Sequence, residues 1–200
     1  MEDKEEKIDY ETKIEATIER LEEGNKRFMN SILDGKLQDG ARRDELTKTQ
    51  TPWAIVLSCA DSRVVPELAF DTGLGELFVL RVAGNVANTS TIASIEYAVA
   101  HIGTPVIVVM GHQGCGAVTE AIKQEDMGTN INHLLSYINP AIEALGVDAP
   151  HDAIVRKNAE LNAQVLSDQS EIIKGAVDGN RLRIVHGHYS LDTGKVELSH

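Results

Sequence analysis

The sequence predicts an α/β fold: a mainly parallel central sheet of about four strands plus an edge strand, flanked by helices and preceded by an N-terminal helical arm. Three observations carry this expectation. Short runs at Trp53–Leu57, Leu77–Val82 and Pro105–Met110 are almost wholly apolar, too short for typical helices, and fit strands covered on both faces. A fourth run, Arg181–His186, has the same length and a β-branched centre. Segments of helical periodicity separate the runs, and alternation of strand with helix is the pattern of a parallel sheet under helical layers.

Taken in order, residues 10–33 place Ile14, Ile18, Leu21, Phe28 and Ile32 at spacings of three, four or seven, with charged residues between them. This is an amphipathic acidic helix, and Gly24-Asn25 is a point where it is expected to break. Asp34 to Gln50 is polar, contains Gly35 and Gly40, and reads as a loop. After the first strand, Thr91 to His101 forms a helix with Ile92, Ile95, Ala98 and Val99 on one stripe. Helical segments at 117–124, 131–145 and 152–174 lead to the fourth strand. The run Asp192-Thr193-Gly194-Lys195 is a turn into a last edge strand ending near Leu198. We read residues 1–200 as one domain, with 1–50 as arm and loop and 51–200 as the α/β core.

Composition excludes several classes of function. The chain has 200 residues, is 42% hydrophobic, and carries a formal charge of -12, which argues against a nucleic-acid or anionic-membrane partner because such binding needs a basic surface. No apolar stretch approaches the roughly 20 residues of a membrane span. Met1-Glu2-Asp3-Lys4-Glu5-Glu6 lacks the basic-then-apolar order of a secretory signal, so a cytoplasmic location is expected. Two cysteines in a reducing compartment, each near polar partners, point to metal binding or catalysis rather than to a disulfide.

Both cysteines fall where a strand ends. Cys59-Ala60-Asp61-Ser62-Arg63 follows the first strand, and Gly111-His112-Gln113-Gly114-Cys115-Gly116 follows the third. If extended geometry persists, Cys59, Asp61 and Arg63 share one face. His112 and Cys115, three apart, share one side of a first helical turn, and a helix N-terminus favours the thiolate of Cys115. A lone cysteine is usually a small buried hydrophobe, and an Asp-Arg pair is usually a surface ion pair. Here all of them gather at the strand ends where open parallel sheets build their sites. Two sulfurs and one imidazole are ligands of the softness that suits zinc, and three protein ligands leave one position open for water, as in a catalytic site. Two thiolates neutralise the ion's formal charge, so help from Asp61 in orienting or deprotonating that water is expected. Arg63 is placed to keep Asp61 ionised by a forked pair.

These residues resemble the β-class carbonic anhydrases. Cys59–Arg63 matches that family's first signature and Gly111–Gly116 its second, while Leu77–Asn85 and Ser94–Ala98 are similar to its intervening strand and helix. The similarity runs from about Leu21 to Val196. The resemblance implies Zn2+ on Cys59, His112 and Cys115, an Asp61–Arg63 dyad as the catalytic pair, and hydration of CO2 to bicarbonate by metal-bound hydroxide, an effect for which the three-histidine carbonic anhydrases are the type case. It also implies a homodimer or dimer of dimers, with the helical arm lying across the neighbour. Gln50, nine residues before Cys59, resembles the glutamine that holds bicarbonate in the variant with an open metal; Phe78 and Tyr97 match the aromatic walls of the CO2 cleft, partly supplied across the dimer; Gly116 joins them as a substrate-binding position. The variant whose aspartate can close the site carries Trp three residues before the cysteine, where this chain has Val56; its only tryptophan is Trp53. The open, plant-like type I form is therefore expected.

Alternatives within reach are hydrolysis of a CO2 analogue such as carbonyl sulfide or carbon disulfide on the same zinc, and a non-catalytic zinc protein in which Asp61 fills the fourth position. Asp71-Thr72-Gly73 and Asp192-Thr193-Gly194 look like paired aspartic-protease signatures, but Leu74 and Lys195 follow where a small residue is needed. His101, His133, His186 and His188 are candidate proton carriers.

Overall fold

A computed structural model describes residues 9–199; the charge order of Met1–Glu6 lies outside the described residues. Five strands, β1 (Ala54–Ser58), β2 (Leu77–Arg81), β3 (Val106–His112), β4 (Arg183–Tyr189) and β5 (Val196–Ser199), form one sheet in the order β2-β1-β3-β4-β5. The first four run parallel, and β5 closes the far edge antiparallel to β4. The central strands β1 and β3 are buried along their whole length, as their unbroken apolar sequences require. β2 is an exception to the expected two-sided burial. It pairs with β1 alone and is only half-buried, because an edge strand lacks a neighbour on one side.

Nine helices accompany the sheet among the described residues: α1 (Tyr10–Met29), α2 (Gly40–Glu45), α3 (Pro66–Ala69), α4 (Thr89–Tyr97), α5 (Gly116–Lys123), α6 (Thr129–Ser136), α7 (Asn139–Leu145), α8 (His151–Asp168) and α9 (Glu171–Asp178). The two-residue period of the strands sorts the core into layers. Ile55, Leu57, Ile107 and Val109 face α4, α8 and α9. Ala54, Val56, Val106, Val108 and Met110 face α1 and α3. A third cluster caps the C-terminal edge of the sheet, where α5 to α8 gather around Val86, Ile138 and both cysteines. No helix among the described residues is long and apolar enough to cross a membrane.

Several boundaries differ from the sequence reading. Gly24-Asn25 does not break α1. Gly24 is where the helix touches the end of α3, since a Cβ there would overlap the Phe70 carbonyl. Asn25, also buried, donates to the carbonyls of Ala69 (3.0 Å) and Gly194 (2.8 Å) and accepts from Val196 N–H at 2.8 Å. The helix instead ends at Met29, leaving Ile32 exposed beyond it. The polar stretch 34–50 contains α2, started by the Asp39 side chain accepting from Arg42 N–H at 2.9 Å. α4 starts at Thr89 because Asn88 and Thr91 form a reciprocal cap, and its last turn widens into a π turn over Ala98–Ile102. The expected 152–174 helix is two helices, with Ser170 capping α9.

Gly24→Ala is expected to destabilise the fold by about 1–3 kcal/mol, the usual cost of overfilling a packed contact, with the loss read from urea unfolding. Wild-type stability in this variant would mean that α1 is free to shift on α3.

Candidate active site

Parallel pairing sets Ser58 of β1 beside Met110 of β3, so both strands deliver their next residues to the same edge. Cys59 is the first residue past β1 and His112 is the last of β3. Contrary to the expectation from their spacing, Cys115 does not share a helical turn with His112. β3 runs on through His112, Gln113 and Gly114 turn the chain, with Gly114 at φ +65°, and Cys115 is the N-cap of α5. The imidazole nitrogen and the two sulfurs nevertheless lie within 4.8 Å of one another and are buried, at 5% exposure for Cys59, 0% for His112 and 1% for Cys115. This group could hold a metal ion.

The protonation pattern suits that use. His112 Nδ1 lies 3.0 Å from the Gln113 carbonyl. A carbonyl only accepts, so Nδ1 carries the hydrogen and Nε2 presents its lone pair. Nε2 is buried with no hydrogen-bond partner, a costly state for a polar atom unless something binds it. The hydrogen bond from Cys115 pulls the Cys59 thiol down to about 4 despite burial, and the same contact, with burial, pushes the Cys115 thiol well above its ordinary value. The two thiols are therefore driven in opposite directions by their mutual contact.

Asp61 and Arg63 do meet, though through a turn and not along a strand face. Asp61 C=O accepts from Val64 N–H at 3.0 Å, and Oδ1 accepts from Arg63 N–H at 2.9 Å, which folds the segment back on itself. The guanidinium then forks onto the carboxylate, Nε to Oδ1 at 3.0 Å and Nη2 to Oδ2 at 2.8 Å. That fork, opposed by partial burial, holds the Asp61 carboxyl far below the usual carboxylate range. Oδ2 lies 4.0 Å from His112 Nε2, so the carboxylate stands at the rim of the Cys-His-Cys group. Gly116, exposed at the first position of α5, adjoins it.

Gln50, Phe78 and Tyr97 lie elsewhere. Gln50 precedes β1 and Cys59 follows it, so they sit at opposite edges of the sheet, separated by at least about 13 Å of strand. Phe78 pairs with Ile55 near the start of both strands. Tyr97 ends α4, which runs back to that same N-terminal edge; it is 51% exposed, its ring lies tilted against His101 at 5.2 Å, and it lines one open groove with Gln50 and His101. Within one chain these three do not reach the cysteines. Of the other histidines, His188 is buried on β4, its Nε2 3.6 Å from Asp152, and His133 packs edge-on to Tyr137. The carboxylates of the two protease-like runs are taken by other partners, Asp71 by Arg27 at 2.5 Å and Asp192 by Gln113 at 2.7 Å.

Sequence reasoning passed over two supports. Arg81 donates from Nε to the Cys59 carbonyl at 3.1 Å and from Nη2 to the Asp61 carbonyl at 2.5 Å, fixing the loop that carries both. A lone arginine closing the apolar run Leu77–Leu80 was the signal available for it. On α8, Asn158 donates to Gly84 C=O at 2.8 Å and Asn162 accepts from Ala87 N–H at 2.6 Å, holding the strained loop beside Cys59. Nothing in their local sequence marks them.

A mainly parallel sheet with a buried Cys-His-Cys group at its C-terminal edge defines an α/β protein able to bind a metal. The family model described as carbonic anhydrase matches residues 54–196. The chain is 34% identical over 189 residues to carbonic anhydrase 2 of Mycobacterium tuberculosis, covering 92% of this chain and 91% of that one. It is 35% identical over 190 residues to the carbonic anhydrase of Mycolicibacterium smegmatis, covering 92% of each. Among solved structures, the β-carbonic anhydrase of Coccomyxa in complex with acetazolamide superposes with a TM-score of 0.71 at 26% identity, covering 77% of this chain and 74% of that one. The chain belongs to the carbonic anhydrase family, in its β class.

Because the folded Asp61 carboxyl sits below its unfolded value, the Asp61–Arg63 pair contributes above the ordinary carboxylate range and its contribution fades as pH falls through the folded midpoint. Arg63→Gln is expected to move the Asp61 midpoint upward, towards that range, in a carbon-13 NMR titration. An unmoved midpoint would show that the fork does not hold the charge.

Proposed function

We propose that this chain catalyses the reversible hydration of CO2 to bicarbonate and a proton, with zinc as the metal and Cys59, His112 and Cys115 as its ligands. The observation that carries the reading is the buried, unpartnered Nε2 of His112 turned towards two sulfurs in a member of this family. Two soft thiolates and a neutral imidazole match zinc and leave a fourth position open. When bound there, zinc supplies the Lewis acidity that lets water lose a proton near neutral pH. The Asp61 carboxylate, at the rim of the group, would accept a hydrogen bond from a water there and orient it, and Arg63 keeps that carboxylate charged. Val86, Val118 and Ile138, clustered with the sulfurs, exclude bulk water and offer CO2 an apolar wall.

The site is completed by a second copy of the chain. Gln50, Phe78 and Tyr97 occupy the opposite sheet edge from the cysteines, and Tyr97 is exposed in an open groove that it lines with Gln50. A homodimer, alone or paired into a tetramer, brings the partner's groove to this edge, where Gln50 binds bicarbonate and the aromatic rings narrow the entrance, with Gly116 at its floor. This is the open form of the site. Reduced thiols as ligands suit the cytoplasm.

Cys59→Ser is expected to lose stoichiometric zinc and CO2 hydration together, and Asp61→Asn to keep zinc while kcat falls by about 10²–10⁴, measured by metal analysis and stopped-flow hydration. Mixing Cys59→Ser with Gln50→Ala chains is expected to regain activity through one intact hybrid site. Full activity in Cys59→Ser would refute the ligand set, and no recovery in the mixture would refute completion in trans.

A further inference from the structure

The turn between β3 and α5 holds a side chain that the proposed chemistry does not use. Gln113 is half-buried and both ends of its side-chain amide are hydrogen-bonded. Oε1 accepts from Leu191 N–H at 2.9 Å, Asp192 N–H at 3.3 Å and the Ser190 hydroxyl at 3.4 Å, while Nε2 donates to Asp192 Oδ2 at 2.7 Å. Its backbone N–H extends the β3–β4 ladder to the Tyr189 carbonyl at 2.9 Å. Its own carbonyl is the acceptor for His112 Nδ1.

That carbonyl belongs to the peptide plane between Gln113 and Gly114. Gly114 sits at φ +65°, and a Cβ there would meet nothing within 4 Å. Glycine adopts either sign of φ, so Gly114 does not itself hold the plane. In the flipped plane an N–H would replace the carbonyl opposite the ring. Nδ1 would then become the acceptor, and the hydrogen would move to Nε2, the atom that must offer a lone pair.

We propose that Gln113 is a positioning residue: clamped onto the Ser190–Asp192 turn, it fixes the orientation of its own carbonyl and so keeps His112 in the Nδ1–H tautomer, with Nε2 free towards Cys59 and Cys115. The turn joining β4 to β5, with Asp192 of the otherwise unused Asp192-Thr193-Gly194 run, is thereby part of the support of the site. The consequence for zinc affinity rests on the ligand reading above; the tautomer does not.

The test reads both. In the metal-free protein, the nitrogen-15 shifts of the His112 ring, assigned by their loss in His112→Gln, are expected to show Nδ1–H in the wild type and a mixture of tautomers in Gln113→Leu. Zinc affinity, by chelator competition, is expected to fall about 10–100-fold in Gln113→Leu. Gln113→Glu with Asp192→Asn rebuilds the pair with donor and acceptor exchanged and is expected to restore both readings. Thr193→Ala, which removes the acceptor for Lys195 N–H at 3.2 Å, loosens the same turn without touching Gln113 and is expected to change neither. Wild-type tautomer and affinity in Gln113→Leu would overturn the inference. So would equal losses in Thr193→Ala, since turn stability alone would then explain them. A wild type that binds no zinc, with the tautomer still shifting in Gln113→Leu, would support the inference about Gln113 while refuting the ligand reading.

Discussion

Everything at the site depends on the parallel register between β1 and β3. Ile55 opposite Ile107 and Ser58 opposite Met110 bring the two strand ends to one edge, with Cys59 just past β1 and His112 closing β3 one residue further along. A slip of one residue would turn every side chain of β1 to the wrong layer. The register is fixed because both faces are filled: Ile55 and Leu57 belong to one buried cluster, Ala54 and Val56 to the other. Close approach of α8 to β3 adds to it. At Gly111 a Cβ would come within 2.8 Å of the Val155 side chain, so the residue before His112 has no room to be anything else.

The same edge concentrates charge in an acidic protein. Two thiols, a carboxylate and an imidazole meet there, and the counter-charges come from two arginines. Arg63 forks onto Asp61, and Arg81 holds the Cys59 and Asp61 carbonyls. Around the sulfurs the packing is apolar. The low dielectric around the sulfurs makes an unmatched polar atom there costly, whereas the Arg63–Asp61 fork is open to solvent. The unpartnered His112 nitrogen therefore has meaning that an exposed one would lack.

The architecture was legible in the sequence because apolar runs and helical stripes report burial directly. Cys59 and His112 were legible because each stands within two residues of the end of such a run, and Cys115 because it follows His112 by three. What the sequence did not reveal were relations across space. Whether extended geometry persists past Ser58 is decided by the Asp61 turn. Whether Gly24 breaks a helix or admits a neighbour is decided by Phe70. Edge status turned β2 from a buried strand into a half-buried one. Asn158, 74 residues from the Gly84 carbonyl it binds, could be found only from coordinates. Gln50, Phe78 and Tyr97 are the converse case, recognisable by resemblance yet set at the sheet edge remote from the cysteines.

The two edges of the sheet differ in kind: one carries the buried Cys-His-Cys group, and the other an open groove lined by Gln50, Tyr97 and His101. The central claim is that one cation is held by residues from two strand ends, and zinc K-edge absorption of the loaded protein tests it most directly. The account predicts a first shell with two sulfurs at about 2.3 Å and nitrogen or oxygen at about 2.0–2.1 Å. A shell with one sulfur or none would contradict it.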